Sequence, residues 1–448
     1  AVLPKKQVRR LIGENLRWIP LVIPSRSKLD GLRDTKSFRL LHADDRFTLW
    51  KASRLWRMTH QETRQLIDMA LDFRQWGELP LSQLLDSFLW PGDSGTGDAI
   101  SPFPAVRRRW EELRNSPRTY PLPAGEPIPE TRRKAPAVHE ASAPLGLGRC
   151  PVASEQTRCC NLFTLDAVEG CVFDCSYCSI RSFYNPDHVN FHHDLGTKLS
   201  GLDLDPGKTY HIGTGQSSDS LLWGNRDGML DALCDFAHQN PNVILELKTK
   251  SDNVDHLLRR SIPANLICTW SLNTPAVVHH EERGTPSLEQ RIQAARRAAD
   301  AGILVGFHFH PIIEYEGSKE NYEVVYSRVQ DAFEPSEVVM VSLGTLTFTK
   351  PVIKAIRESR IPTSILQMPL TEAAGKLSYS LETKTEMFSH AYRCFSEWHE
   401  EVFFYLCMED VSLWEPVFGR SYRDNDAFER AMIGFYEEKI REKRLSHR

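Results

Sequence analysis

Long apolar runs are missing from this 448-residue chain, and none approaches the roughly 18–20 consecutive apolar residues that a membrane span needs. The first six residues, AVLPKK, lack the charged-then-apolar order of a signal peptide. Cysteine is scarce too, with 10 residues in the whole chain, which is far too dilute for a disulfide scaffold. We therefore expect a cytoplasmic protein with reduced thiols and no membrane partner.

Net charge is also small. The chain has 55 Lys and Arg against 59 Asp and Glu, a formal charge of −4, which by itself argues against a dedicated polyanion binder. The two signs are unevenly spread, because residues 1–150 carry 25 basic and 17 acidic side chains while the remainder carries 30 and 42. Any nucleic-acid contact is therefore expected mainly in the first third of the chain.

Residues 1–116 are interpreted as a basic N-terminal accessory region. Thr59 and Glu62 have the spacing of a capping box, which predicts a helix over residues 59–73. A second basic helix is predicted over residues 103–114, where three arginines at 107–109 precede Trp110. This helix presents either an ordinary solvated face or phosphate contacts beside a stacking ring.

Eight prolines fall between residues 117 and 151, and they exclude a helix or a central strand there. This stretch is interpreted as a semi-rigid linker or a wrapping arm. Residues 152–385 then alternate strands with helices, and residues 386–448 are predicted to form a helical C-terminal region. The predicted strands are 162–168, 209–213, 243–249, 266–272, 303–313 and 338–348.

Six β/α units in series predict an α/β fold with a parallel sheet, either barrel-type or doubly wound. The helix after the fourth strand is predicted to begin at Thr285 as its cap and to end before Gly302. In both arrangements the chemistry gathers at the carboxyl ends of the strands.

Six of the ten cysteines lie between residues 150 and 178. Cys171, Cys175 and Cys178 form a C-x3-C-x2-C loop directly after the first predicted strand. Three thiolates on one tight loop suit a cubane iron–sulfur cluster with one iron left without a protein ligand. A structural zinc site normally takes four ligands in two paired knuckles, and the sequence has no second C-x2-C.

This loop resembles the C-x3-C-x-aromatic-C pattern of the radical S-adenosylmethionine superfamily, with Tyr177 as the aromatic residue. The resemblance implies a partial (β/α)6 TIM-type barrel, a [4Fe–4S] cluster and S-adenosyl-L-methionine (SAM) as cofactors. It further implies that SAM is cleaved reductively to a 5′-deoxyadenosyl radical, which abstracts a substrate hydrogen. An electron donor such as flavodoxin or ferredoxin is the implied partner.

A closer resemblance, to the spore photoproduct lyase family, covers residues 160–385. The similar segments are 250–257, 270–274, 282–285, 291–296 and 348–351. That family repairs a crosslinked thymine dimer in DNA, which implies repair of a DNA photolesion or a related nucleobase reaction. Two alternatives stay open: the same radical chemistry on a peptide or small metabolite, and an iron–sulfur nucleic-acid-binding module without turnover.

Charged side chains share one face of the third predicted strand, at Glu246, Lys248 and Lys250. A parallel strand buried on both faces is nearly all apolar, so this face indicates a barrel interior that holds a polar ligand. The fourth strand likewise places Thr269, Ser271 and Asn273 on one face. The resemblance assigns the cofactor to Tyr177, Gly213, Ser218, Lys250, Ser271 and Asn273, and the substrate to Lys350 and Tyr379 near the barrel rim.

The chain departs from the family at two positions. The cysteine that returns a hydrogen atom to the substrate corresponds to Gln216, and a tyrosine of the radical relay corresponds to Ser179. Either another thiol substitutes or the reaction differs. Three further cysteines, Cys150, Cys159 and Cys160, could fold over the barrel mouth as a second metal site, or they could be buried thiols without a role.

Two histidines, His308 and His310, share one face of the fifth predicted strand, where the family has apolar residues. If that face is the barrel lumen, two imidazoles approach the substrate as proton donors, phosphate partners or ligands. The alternative is a pair of hydrogen-bonded histidines in a polar core. We hypothesise that they mark an altered substrate.

Overall fold

The computed structural model describes residues 29–56, 58–86, 101–121, 137–141, 145–150, 156–179, 188–359, 361–373 and 376–446. Its contacts divide the chain into two units, residues 1–70 with 80–106 and residues 71–79 with 107–448. The domain boundaries expected at residues 116, 151 and 385 stay predictions. No helix among the described residues has the length and apolar character needed to cross a membrane.

The strands of the described residues are numbered in chain order. They are β1 (Ala137–Glu140), β2 (Leu147–Arg149), β3 (Phe163–Leu165), β4 (Val168–Glu169), β5 (Asp174–Cys175), β6 (His188–Phe191), β7 (Tyr210–Thr214), β8 (Val243–Thr249), β9 (Leu266–Ser271), β10 (Glu282–Arg283), β11 (Leu304–Ile312), β12 (Val338–Thr345), β13 (Thr347–Thr349), β14 (Thr371–Ala373), β15 (Lys376–Ser378) and β16 (Phe403–Leu406).

The helices are numbered in the same way. They are α1 (Lys36–Arg39), α2 (Ala43–Leu55), α3 (His60–Trp76), α4 (Leu81–Asp86), α5 (Phe103–Asn115), α6 (Leu195–Ser200), α7 (Met229–Gln239), α8 (Pro275–Glu281), α9 (Leu288–Asp300), α10 (Ser318–Ala332), α11 (Lys350–Arg357), α12 (Leu381–Cys394), α13 (Trp414–Phe418) and α14 (Asn425–Ser446).

The first unit contains α1, α2 and α4, and the predicted capping box begins α3. The Thr59 backbone N–H donates to Glu62 Oε2 at 2.6 Å, and the Glu62 N–H donates to Thr59 Oγ1 at 3.1 Å. Two orphan donors of the helix end are satisfied reciprocally, which confirms the predicted helix start. The Asp45 carboxylate of α2 accepts from the Ser82 N–H of α4 at 2.8 Å.

The second unit is built on one large sheet with the strand order β16-β12-β11-β9-β8-β7-β3-β2. Every neighbouring pair is parallel except β2 with β3, so the α/β class with a parallel sheet is confirmed. The count of six is wrong for the described residues, because β16 adds a seventh parallel strand inside the region predicted to be helical. Its four residues are all buried, and periodicity cannot tell so short an apolar run from part of a buried helix.

The sheet is curled rather than flat. Glu246 on β8 contacts His308 on β11 at 2.9 Å although β9 lies between the two strands. Adjacent strands are about 4.8 Å apart, so a concave face is what brings these side chains together. Residues of both edge regions, Arg149 on β2 and Tyr405 on β16, line the same cavity. The architecture is a half-barrel whose concave side carries the polar residues.

The start of α9 corrects the predicted cap. Ser287, not Thr285, is the N-cap residue, and its hydroxyl accepts from the Gln290 N–H at 3.3 Å while the Gln290 side chain accepts from the Ser287 N–H at 2.8 Å. Thr285 instead donates its hydroxyl to the Glu282 carbonyl at 2.6 Å. Both residues can cap, and the glutamine at the third helical position favours Ser287.

The proline-rich stretch belongs to the second unit and packs within it where the structure describes it. Tyr120 is buried and donates its hydroxyl to Glu281 Oε1 at 2.8 Å. Farther along, β2 forms the edge of the large sheet, and β1 pairs with β6 outside it. These contacts favour the wrapping arm over the semi-rigid linker. Where the stretch is described, none of its residues forms a central strand, which agrees with the proline content.

Candidate active site

A cavity of about 520 Å³ is formed on the concave side, where the carboxyl ends of the parallel strands meet. Its wall includes the cysteine loop, the turn after β7, the ends of β8, β9 and β11, and the segment that follows β16. This is the edge of an α/β sheet at which ligands bind.

All three cysteines of the C-x3-C-x2-C loop line this cavity. The loop is held because β5 pairs with β10, with Cys175 opposite Glu282, and because the Cys178 N–H donates to the Cys175 carbonyl at 3.2 Å. Within the described residues no three His, Cys, Asp or Glu side chains are arranged to hold a single ion. A cubane binds each thiolate through a different iron, so three thiols spaced around one cavity fit a cluster better than one ion.

Tyr177 and Arg291 are tied together through Glu282. Arg291 lies 2.6 Å from Glu282 Oε2, with both side chains at most 1% exposed, and the Tyr177 hydroxyl donates to Glu282 Oε1. Burial alone would raise the pKa of Glu282, but Arg291 and Lys250 outweigh it and hold the pKa below its ordinary value. This buried charge pair fixes the aromatic residue of the cysteine motif against α9.

The turn after β7 requires a glycine at residue 215. Gly215 has φ +87°, and a Cβ there would lie 2.5 Å from the Lys248 carbonyl oxygen. Asp219 closes the turn, because its carboxylate accepts from the Lys250 N–H at 2.6 Å and from the Thr249 hydroxyl at 2.7 Å. Between them Ser218 lines the cavity, and its buried hydroxyl has no hydrogen-bond partner among the described residues. The turn thus presents a polar group that a ligand could satisfy.

The three charged residues of β8 and its end, Glu246, Lys248 and Lys250, all line the cavity, as their shared parity predicts. The Lys250 ammonium lies 5.9 Å from the centroid of the Tyr177 ring. Ser271 lines the cavity from the end of β9 and is buried. Lys250 therefore places an ammonium group beside the cysteine loop, where it suits an anionic group of a ligand.

Glu246 is the centre of a buried polar network on the cavity floor. Its carboxylate contacts His211 Nε2 at 2.8 Å and His308 Nε2 at 2.9 Å, and it accepts from the Thr269 hydroxyl at 2.7 Å. Burial alone would raise the pKa of Glu246, but the two histidines hold it well below its ordinary value. A carboxylate only accepts, so both imidazoles present an Nε2–H to it, and His308 Nδ1 is left to accept from Ser342 Oγ at 2.5 Å.

His308 and His310 both line the cavity. Burial, with Lys248 nearby, lowers the pKa of His308 to about 4, and the same two causes lower that of His310 well below its ordinary value. Both are therefore neutral at pH 7. Gly344 on β12 provides the space for His310, because a Cβ there would lie 2.7 Å from the ring.

Four of the residues assigned by resemblance are described by the structure but do not line the cavity: Gly213, Asn273, Lys350 and Tyr379. At Gly213 a Cβ would meet Leu162 at 3.0 Å, which is a packing constraint. The Asn273 amide donates to the Pro311 carbonyl at 2.9 Å and accepts from Tyr322 at 2.6 Å.

The two residues assigned to the substrate lie elsewhere. The Lys350 side chain is 80% exposed and lies 3.8 Å from Glu372. Tyr379 is buried, and its hydroxyl accepts from the Glu314 N–H at 3.0 Å. Neither side chain is brought to the cavity wall that holds the cysteine loop.

Both departures from the family pattern, Gln216 and Ser179, line the cavity. So do Cys150 and Cys160, whereas Cys159 is buried beside Cys160. Sequence reasoning missed several cavity residues: His211, Asp219, Tyr405 and Cys407. His211 shares the parity of Gly213 on β7 and could have been found from it, whereas Cys407 reaches the cavity through a strand that was not predicted.

Trp110, the ring expected beside phosphate contacts, is engaged within the protein. Its Nε1–H donates to Asp72 at 2.9 Å, its ring stacks on Trp76 with centroids 6.2 Å apart, and the Arg114 guanidinium lies 4.5 Å from its centroid. The arginines at 107–109 are exposed. Of the two interpretations, the solvated helix face agrees better with this packing, because the Trp110 ring already contacts Trp76 and Arg114.

A family model described as spore photoproduct lyase matches residues 152–384, slightly more than half of the chain. The chain is 25% identical over 213 residues to the spore photoproduct lyase of Geobacillus sp. (strain Y412MC61), which covers 46% of this chain and 62% of that one. It is 34% identical over 127 residues to the enzyme of the same name from Bacillus subtilis (strain 168), covering 28% and 36%. The chain thus spans about three fifths of the first relative's length.

Among solved structures, a double variant of spore photoproduct lyase with bound AdoMet and dinucleoside spore photoproduct has a TM-score of 0.52 at 19% identity. The likeness covers 68% of this chain and 95% of that one. At this identity it establishes a shared fold, which agrees with the curled half-barrel described above. The match over residues 152–384 shows that the chain belongs to the spore photoproduct lyase family.

Proposed function

We propose that this chain is a radical SAM enzyme that repairs a photolesion in DNA. The observation that carries the proposal is one cavity whose wall combines Cys171, Cys175 and Cys178 with two lysines of β8 and its end and with a buried hydroxyl that has no partner among the described residues. Family membership supports the reaction class, and the solved relative named above holds both AdoMet and a dinucleoside photoproduct.

The cluster would be held by the three cysteines. When bound, a [4Fe–4S] cluster and SAM supply one-electron reductive chemistry that generates a carbon radical. The protein's part is to hold the three thiols on a loop fixed by the β5–β10 pairing. Burial raises the pKa of Cys175 to about 12, so thiolate formation depends on the charge of the iron.

SAM would be bound by the groups beside that loop. The Lys250 ammonium is suited to the cofactor carboxylate, and the Ser218 hydroxyl to its amino group. Ser271 and Tyr177 complete this side of the cavity, with Tyr177 held by Glu282. Asn273, by contrast, would act from outside the cavity wall, by fixing the chain after β9 through Pro311 and Tyr322.

The lesion would be bound in the part of the cavity that His308 and His310 line. Neutral His310 lines the cavity and offers a hydrogen bond to the base edges of a lesion without carrying a charge. Both ring nitrogens of His308 are already bonded, to Glu246 and to Ser342, so His308 shapes this part of the wall without a free donor or acceptor. A lesion reaches a barrel interior only after it leaves the base stack, so duplex DNA would be bound with base extrusion. Lys350 and Tyr379, placed away from the cavity, are weaker candidates for substrate contact.

The partners follow from the same proposal. DNA backbone contacts are proposed for the basic region of residues 1–116, part of which lies outside the described residues. A flavodoxin or ferredoxin is proposed as the one-electron donor, and the cytoplasm as the site of action. Phosphate contacts by that region would give DNA binding a steep dependence on salt.

The test is anaerobic reconstitution with iron and sulfide, followed by dithionite and SAM. Irradiated DNA, plain DNA and no substrate are compared for 5′-deoxyadenosine and for thymine released from the lesion. The proposal expects lesion-dependent products from the parent chain and none from Cys175→Ala, with Cys394→Ser on α12 as the matched control. Deoxyadenosine without any lesion-dependent product would overturn the repair function and favour another substrate.

A further inference from the structure

A second group of thiols lines the cavity away from the cysteine motif. It consists of Cys150, Cys160 and Cys407, which come from three separate segments of the chain. Cys160 and Cys407 lie within electrostatic reach of each other, and Cys159 is hydrogen-bonded to Cys160. Together with the three cluster cysteines, six of the ten cysteines of the chain surround one space.

Cys407 is held in position by contacts on both sides of it in the chain. It directly follows β16, and its N–H donates to the Leu343 carbonyl at 2.8 Å. Two residues later the Glu409 carboxylate is buried, accepts from the Thr345 N–H at 2.8 Å and pairs with Lys384 at 2.6 Å. These contacts fix the backbone on both sides of the thiol.

The residue between these anchors adds a backbone constraint. Met408 has φ +60°, a left-handed conformation that non-glycine residues adopt at a cost, and it lines the cavity beside Cys407. The constraint holds the segment after β16 in the conformation that brings Cys407 to the cavity wall.

The chemistry of the cavity calls for a hydrogen-atom donor. After a hydrogen is abstracted from the substrate and the bond of the lesion breaks, the remaining carbon radical needs one hydrogen atom to become a stable product. An S–H bond is weaker than the N–H and C–H bonds that Gln216 offers, so a protonated thiol is the suitable donor on this wall. Burial raises the pKa of Cys407 to about 12 although Lys248 lowers it, and the thiol stays protonated at pH 7.

We propose that Cys407 donates a hydrogen atom to the substrate radical in the cavity. This rests on the radical function proposed above. The S–H bond of Cys407 breaks and a C–H bond forms on the substrate, which leaves a thiyl radical on Cys407. One electron from the low-potential donor that the reaction already requires, and one proton from water, return the thiyl radical to the thiol. The neighbouring thiol of Cys160 stays reduced throughout.

The experiment compares the parent chain with Cys407→Ala and Cys407→Ser, using irradiated DNA in D₂O. The serine variant keeps the size of the side chain, and its O–H bond is too strong to donate a hydrogen atom. We expect the parent to place one deuterium in the thymine product, because a thiol exchanges with solvent. Both variants should still form deoxyadenosine and consume the lesion, while the yield of intact thymine falls at least tenfold.

Two controls separate this proposal from the function on which it rests. Cys394→Ser, which changes a thiol on α12 outside the cavity, should match the parent in yield and in deuterium content. If the parent forms no lesion-dependent product, the repair function fails. If the parent is active and Cys407→Ser keeps the thymine yield and deuterium content of the parent, the assignment of Cys407 is overturned. The assignment is also overturned if Cys160→Ser abolishes deuterium incorporation while Cys407→Ser does not.

Discussion

Arg291 lies 2.6 Å from Glu282, and neither side chain is more than 1% exposed. The guanidinium also donates to the Ser271 carbonyl at 2.9 Å and to the Thr285 hydroxyl at 2.7 Å. One buried cation thus joins the strand pair of the cysteine loop to the end of β9. The contact joins residues 282–285 to residues 291–296, two of the segments in which the sequence resembles the family.

Removing this cation should destabilise the protein strongly. Arg291→Ala leaves the Glu282 carboxylate buried without its charge partner, so we expect a loss of about 3–5 kcal/mol in the free energy of unfolding. Urea denaturation measures the loss. The matched control is Arg297→Ala on the same helix, which removes an exposed pair with Asp255 and should leave the unfolding midpoint nearly unchanged. Equal effects of the two substitutions would contradict the role of the buried pair.

Gly215→Ala should disrupt the turn after β7 for two reasons. A left-handed backbone costs an alanine about 1–2 kcal/mol, and its Cβ would also collide with the Lys248 carbonyl. Gly228→Ala separates the two effects, because Gly228 also has a positive φ, +73°, but nothing lies within 4 Å of a Cβ there. We expect Gly228→Ala to cost only the backbone term and Gly215→Ala clearly more, by thermal or urea unfolding. If both substitutions lower the free energy of unfolding equally, the collision between a Cβ at residue 215 and the Lys248 carbonyl has no energetic cost.

The cysteine loop and the row of charged residues on β8 could be predicted because local spacing and parity determine them. Cys407 could not, since its approach to the cavity depends on a four-residue strand that pairs with β12 across more than fifty residues of chain. Asn273 is the opposite case, a residue that parity places in the cavity but the structure does not. It has the parity of Ser271, yet bonds to Pro311 and Tyr322 hold it outside the cavity wall, and only the packing of α10 and β11 decides this.

The neutral histidines of the cavity floor should make the protein acid-sensitive. Burial, with Lys248, holds the pKa of His308 at about 4, below the value of 6.5 of an unfolded chain. Between these values the unfolded chain binds more protons, so the free energy of unfolding should fall as the pH decreases from 6.5 to 4, by up to about 3 kcal/mol for this residue. Above pH 6.5 this contribution is fully present. The lowered pKa of His310 acts in the same direction.

Urea unfolding at a series of pH values measures this slope. His308→Gln keeps a donor for Glu246 but cannot titrate, so its slope between pH 6.5 and 4 should be shallower than that of the parent. His238→Gln, which replaces an exposed histidine on α7, is the control and should reproduce the parent slope. A His308→Gln variant with the parent slope would mean that other groups cause the acid sensitivity.

Ser218 allows cofactor binding to be separated from folding. Its buried hydroxyl has no partner within the described part of the chain, so Ser218→Ala removes no hydrogen bond seen there. The substitution should leave the free energy of unfolding unchanged within about 0.5 kcal/mol. If the hydroxyl bonds to the SAM amino group, the same substitution should weaken SAM binding by about 1.5–3 kcal/mol, roughly 10- to 150-fold. Equilibrium dialysis of reconstituted protein measures the binding. The neighbouring Ser217 is the contrasting position, because its hydroxyl donates to Asp166 at 2.6 Å. Ser217→Ala removes this hydrogen bond and should therefore lower the free energy of unfolding. Unchanged SAM affinity in Ser218→Ala would remove Ser218 from the cofactor site.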